Sequence, residues 1–194
     1  MIPYSDGMAP RRFPVVNVAL IAANFAVFLF YELPNGEAAV NQASFYPCDV
    51  NNSCHLGIPW GVGWITAMFM HAGWDHILGN MLFLAIFGKN VEDAFGRLGY
   101  LLLYFAGGFA AMMMQTAMTL LFGTAADAQI PNLGASGAIA AVLGAYFVLY
   151  PQLTHPHPPG VVPDQHPGLV LPRRLVSLPV LREQLRAVPP LEHR

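Results

Sequence analysis

The sequence predicts an all-α membrane protein, and three observations carry that expectation. Hydrophobic residues fill 55% of the 194 positions and charged residues only 10%, against roughly 25% charged in ordinary globular chains. The apolar residues gather into four runs, each long enough, or nearly so, to cross a ~30 Å hydrocarbon core as a helix. All nine Lys and Arg residues lie in three places: Arg11 and Arg12, Lys89 and Arg97, and the stretch from Arg173 onward. A formal net charge of −2 leaves no basic surface for nucleic acid, and no nucleic-acid-binding motif is present.

The first span is Val15 to Tyr31, following a fourteen-residue N-terminal segment. It is longer than a usual signal-peptide core, and no small-x-small cleavage site follows it, so it reads as a retained helix. The connection Glu32 to Gly63 holds no Lys or Arg but both cysteines, Cys48 and Cys54. Six residues apart on an oxidising side they can bridge, or they can stay as two thiols. Trp60 and Trp64, with Trp74 further on, suit a segment lying against the bilayer interface.

The second span falls within 64–88. From Ile77 to Gly88 there are only about twelve residues, or 18 Å of helix, too few to cross. The helix must therefore take in Trp74, Asp75 and His76. The third span, 98–122, is continuous, with Met112, Met113, Met114 and Gln115 in mid-run acting as flexible filler. The fourth is 133–150, where Gly137, Ala141 and Gly144 form a small-residue stripe that admits a neighbouring helix. From Pro151 the composition changes: residues 151–194 hold ten of the seventeen prolines, which block helix propagation. This tail is predicted to be mostly disordered, and His155, His157, His166 and His193 are given no role. The distribution of Lys and Arg puts the N-terminus, the 89–97 connection and the tail on the cytoplasmic side of the cell membrane.

Two stretches carry chemistry. Gly134-Ala135-Ser136-Gly137 sets one hydroxyl at the start of the fourth span. There the helix leaves N–H groups unpaired, and its dipole favours negative charge. Alone, such a serine is most simply a small packing residue. His76 and Asn80 lie four residues apart on one helix face, at a depth where polar groups need a partner or a cavity. Alone, they are most simply interhelical glue. Set beside the serine, they are donors for the oxyanion of acyl transfer, where one such donor contributes roughly 3 to 4 kcal/mol. Gly134 would let a substrate backbone approach.

Gly134-Ala135-Ser136-Gly137 resembles the GxSG nucleophile motif of the rhomboid intramembrane serine proteases. The run Phe69 to Asn80, including His76 and Asn80 as HxxxN, resembles their second-span signature, and Val91-Glu92 and Gly96 also fit. The resemblance covers about residues 13 to 151. It implies a rhomboid-like helical bundle, with four of the usual six membrane helices present, that cleaves transmembrane protein substrates within or beside the bilayer without metal or cofactor. By this similarity Ser136 is the nucleophile, His76 and Asn80 belong to the oxyanion hole, and Gly134 and His71 support them. The family's general base is a histidine on a sixth helix, and this sequence shows neither a fifth nor a sixth span. The chain is therefore expected to be a truncated or frame-shifted member, inactive as written. A non-catalytic binder of transmembrane client helices is the second reading. A metal site built from His71, Asp75 and His76 is a distant third, because no HExxH motif is present.

Substituted-cysteine labelling in intact cells tests the orientation. A single cysteine in the 89–97 connection should resist an impermeant maleimide, and one in the 123–132 connection should react; the reverse pattern refutes the assignment.

Overall fold

The computed structural model describes residues 10–150; the predicted disorder of residues 151–194 lies outside them. Helix α1 runs from Val15 to Asn35 and is long and apolar enough to cross a bilayer. It widens into a π-helical turn at Phe28–Glu32. The connection that follows folds into short helices α2 (Glu37–Ala43), α3 (Pro47–Val50) and α4 (Trp60–Thr66), the last running into a 3-10 turn, Ala67–Phe69. Helix α5 (Trp74–Phe83) continues through a π-helical turn, Leu84–Gly88. Helix α6 (Lys89–Phe122) follows without a gap, and α7 (Ser136–Leu149) comes last. Among the described residues the one extended pairing is an isolated antiparallel bridge between Phe45 and Asn132.

The apolar stretch 64–88 is thus not one helix. Its first third belongs to α4 and the 3-10 turn, and the membrane helix starts at Trp74 after the extended backbone of Met70 and Gly73. Asp75 and His76 fall in the first turn of α5. The continuous helical run 74–122 is broken by a kink at Gly96, whose φ of 72° and ψ of 168° interrupt the helix. That positive φ is open to glycine at little cost, and other residues resist it.

Polar side chains tie the start of α1 to the junction of α5 and α6. The first N–H groups of α1 have no carbonyl partners within their own helix, and Pro14 offers no side-chain cap. Glu92, from α6, supplies it: Oε1 accepts Val16 N–H at 3.1 Å and Oε2 accepts Asn17 N–H at 2.7 Å. Asn17 Nδ2 donates to the Leu84 carbonyl, at the start of the π turn of α5, at 3.1 Å. Tyr100 Oη donates to Asn17 Oδ1 at 2.7 Å. Gly88 makes room, since a methyl group there would collide with both the Asn17 amide and the Tyr100 hydroxyl. Asn17, Glu92 and Tyr100 are all buried, and an unmet polar group at such a site costs about 1–3 kcal/mol.

Further out, α6 and α7 approach closely. A Cβ on Gly137 would lie 2.6 Å from Ala111 Cβ, and one on Gly107 would overlap Ala141. The small-residue stripe therefore faces α6 at Gly137 and Ala141, whereas a Cβ on Gly144 would meet nothing within 4 Å. Of the two cysteine alternatives the structure takes the bridge: Cys48 and Cys54 form a disulfide across Cα atoms 5.4 Å apart. It packs with Tyr46 against Ala128 and Leu120, bracing the connection before α7.

Tyr100→Phe should lower stability in detergent by about 1–3 kcal/mol, because Asn17 Oδ1 loses its donor inside the bundle. Thermal unfolding followed by circular dichroism reads this; an unchanged midpoint removes the network from the account of stability.

Candidate active site

The segment 131–135 that delivers Ser136 is held by backbone on two sides. Phe45 and Asn132 exchange both hydrogen bonds of their bridge, with Phe45 N–H to Asn132 O at 3.1 Å and Asn132 N–H to Phe45 O at 2.7 Å. Gly134 N–H donates to the Ala67 carbonyl at 2.7 Å. Gly134 has a φ of +109°, and Ala135 beside it is fully buried. Ser136 then opens α7, placing its hydroxyl at the positive end of that helix.

His76 and Asn80 come to this segment from α5. A Cβ on Gly134 would sit 2.7 Å from His76 Nε2 and 3.7 Å from Asn80 Nδ2. Both side chains therefore pack directly on the glycine two residues before the serine. Gly134 is required twice, by its φ and by the imidazole that fills the space of its missing side chain. The residues singled out in two distant stretches meet here.

Backbone contacts assign the imidazole tautomers. His76 Nδ1 accepts the Ala72 N–H at 3.3 Å, so in the neutral ring the proton resides on Nε2, the atom beside Gly134. His71 has the opposite arrangement: its Nδ1 lies 3.2 Å from the Phe69 carbonyl, which can only accept. The two rings meet edge-to-face, with centroids 5.1 Å apart. His71 is buried, and its backbone N–H donates to both oxygens of Glu32 at 2.9 and 3.0 Å. His71 and Glu32 thereby pin the 70–73 loop, and with it Ala72, to the C-terminal end of α1. The amide of Asn80 is buried, and its Nδ2 has no hydrogen-bond partner among the described residues. An unmet amide donor beside the serine segment is costly for stability and available for chemistry.

Ser136 is exposed and lines a cavity of about 340 Å³ with Met68, Gly108, Met112, Gln115 and Asn132. His71, Asp75 and His76 do not converge on a common point among the described residues, and Asp75 is exposed. The three acid and sulfur ligands that do cluster, Cys48, Asp49 and Cys54, include both halves of the disulfide. Sequence reasoning missed Ala72, Glu32 and the lining residues Met68 and Gln115. Only Glu32 left a signal, as a lone acid directly after an apolar run.

A Rhomboid domain model matches residues 60–172, more than half of the chain. The chain belongs to the rhomboid family. The rhomboid match reaches past the residues 13–151 over which the motifs were read, and it agrees with an all-α membrane bundle. The chain is similar to the putative rhomboid protease YdcA of Bacillus subtilis, 27% identical over 143 residues, covering 72% of this chain and 64% of that protein. It is 30% identical over 149 residues to the mitochondrial RHOMBOID-like protein 12 of Arabidopsis thaliana, covering 72% of this chain and 43% of that one. To rhomboid protease GluP of Bacillus subtilis it is 27% identical over 142 residues, covering 73% of this chain and 25% of that protein. The chain thus spans less than two thirds of the length of these relatives. No solved structure matches it.

Gly134→Ala should displace the His76 ring, because the added methyl falls 2.7 Å from Nε2 and L side chains resist this φ by about 1–2 kcal/mol. Imidazole NMR signals of the variant should change for His76, with helix content retained. Unaltered His76 signals contradict the packing described.

Proposed function

We propose that residues 10–150 hold the nucleophile and oxyanion donors of an intramembrane serine endopeptidase for transmembrane protein substrates. The carrying observation is the contact of His76 and Asn80 with Gly134, two residues before Ser136. In this reading Ser136 Oγ attacks a scissile carbonyl entering through the adjoining cavity. The oxygen of the tetrahedral intermediate gathers charge beside the start of α7, where the Ser136 backbone N–H, His76 Nε2–H and the Asn80 amide can donate. His71, Glu32 and Ala72 position His76 and take no part in bond making. The family's membrane setting and the spread of Lys and Arg support a multi-pass protein of the inner membrane, N-terminus cytoplasmic and serine toward the outer leaflet.

The proton on Ser136 Oγ needs an acceptor, and a serine without one is a weak nucleophile. His76 has its accepting nitrogen occupied by Ala72 N–H. The open nitrogen of His71 is buried and meets no partner among the described residues. His55 lines a separate hollow with Asp49 and Trp60. With no base beside Ser136 among the described residues, residues 10–150 by themselves are expected to hydrolyse substrate poorly, since loss of one member of a catalytic pair removes most activity. The same fold supports a second reading, a holder of transmembrane client helices, favoured by the open side of α7 at Gly144.

Fluorophosphonate labelling of the purified chain should be no stronger than that of Ser136→Ala. Robust labelling abolished by that substitution overturns the claim of poor hydrolysis. Photocross-linking of a transmembrane client, undiminished in Ser136→Ala, selects the binding role.

A further inference from the structure

The N-terminal ends of α1 and α6 enclose a second concavity, of about 380 Å³, with Arg12, Phe13, Glu92, Asp93, Gly96 and Arg97 on its walls. Its charges are of both signs. Among the described residues neither Arg12 nor Arg97 is engaged in an ion pair. The two carboxylates are held from behind by backbone: Glu92 by Val16 and Asn17 N–H, and Asp93 Oδ2 by Arg11 N–H at 3.2 Å. Each carboxylate keeps further lone pairs. The concavity therefore presents guanidinium donors and carboxylate acceptors side by side, without having used them on one another.

Its position selects the occupant. The concavity lies where the apolar run of α1 begins, at Val15, and where α6 leaves its break at Gly96. At its mouth Phe13 is 71% exposed, and on α6 Leu98 and Leu102 are 70% and 62% exposed. Leu98 and Leu102, four residues apart, share one face of the helix and form an apolar track leading away from the charged walls. A charged pocket joined to an apolar track at the membrane boundary fits a lipid, with its headgroup in the pocket and an acyl chain along the helix.

We propose that this concavity binds the headgroup of an aminophospholipid, with its phosphate on Arg12 and Arg97 and its primary ammonium on Asp93 and Glu92. A purely anionic headgroup would bring its negative charge against two carboxylates. A quaternary ammonium has no N–H to donate to them. A phosphodiester next to a primary amine satisfies both halves, and the guanidinium–phosphate contact is a strong charge-assisted one.

Native mass spectrometry of the full chain, released from micelles containing equal amounts of phosphatidylethanolamine, phosphatidylcholine and phosphatidylglycerol, tests this. Phosphatidylethanolamine should be retained about tenfold over the other two, the equivalent of one good charge-assisted contact. The double variant Arg12→Gln/Arg97→Gln should lose retention of all three. Asp93→Asn should bring phosphatidylethanolamine down to the level of phosphatidylcholine without abolishing either. Equal retention of the three lipids by the unaltered chain, or a preference for phosphatidylglycerol, overturns the proposal. So does a phosphatidylethanolamine preference that survives both variants. The two arginines are exposed; should the double variant nonetheless fail to fold, the Asp93→Asn comparison decides alone.

Discussion

The hydrogen bond from Gly134 N–H to the Ala67 carbonyl fixes more of this molecule than its single contact suggests. It ties the segment leading into α7 to the turn leading into α5. The two stretches bearing polar side chains thereby share one reference point, although some sixty residues separate them. Gly134 can accept this only because it has no side chain, and the vacated space is taken by the His76 ring. The Phe45–Asn132 bridge and the disulfide-braced α3 hold the same segment from the opposite side. Inside a bilayer, irregular backbone is tolerated where protein buries it and meets its polar groups, and this segment meets that condition.

A similar economy governs the end of the bundle where α1 begins. α1 begins with a proline and no cap of its own, and a carboxylate from α6 completes it. That acid, Glu92, is buried and accepts two backbone donors. Glu32 does comparable work at the other end of α1, holding the N–H of His71. Each of the two acids joins a helix to a distant segment, so the bundle is assembled by polar contacts at its ends and by small residues in its middle. Such division is expected where lipid offers no hydrophobic drive between helices.

Much of this was legible in the residues. The apolar runs anticipated the long helical stretches Val15–Asn35 and Trp74–Phe122 and the shorter apolar helix Ser136–Leu149, because hydropathy follows directly from the solvent. The GASG and HxxxN stretches pointed to the meeting of His76 and Asn80 with the segment before Ser136, because their spacing places the two side chains on one face of a helix and the serine at the start of another. The role of the Glu92 carboxylate was not legible, since its partners are backbone N–H groups some seventy-five residues away that leave no mark on composition. The start of α5 at Trp74, rather than ten residues earlier, was half legible. The shortness of Ile77 to Gly88 required Trp74 to His76 in the helix, but the apolar character of Trp64 to Met70 hid a separate short helix. The tautomers of His71 and His76 were beyond sequence altogether, because they depend on which backbone group each ring meets.

The length of α7 has a consequence for the lipid around it. Fourteen residues of helix rise about 21 Å, well short of a hydrocarbon layer near 30 Å. Phe147 and Val148 are exposed toward the far end of α7, and its near end opens at the serine. Set across such a layer, a helix of this length would leave roughly 9 Å of hydrocarbon unmatched, a difference that lipid answers by local thinning.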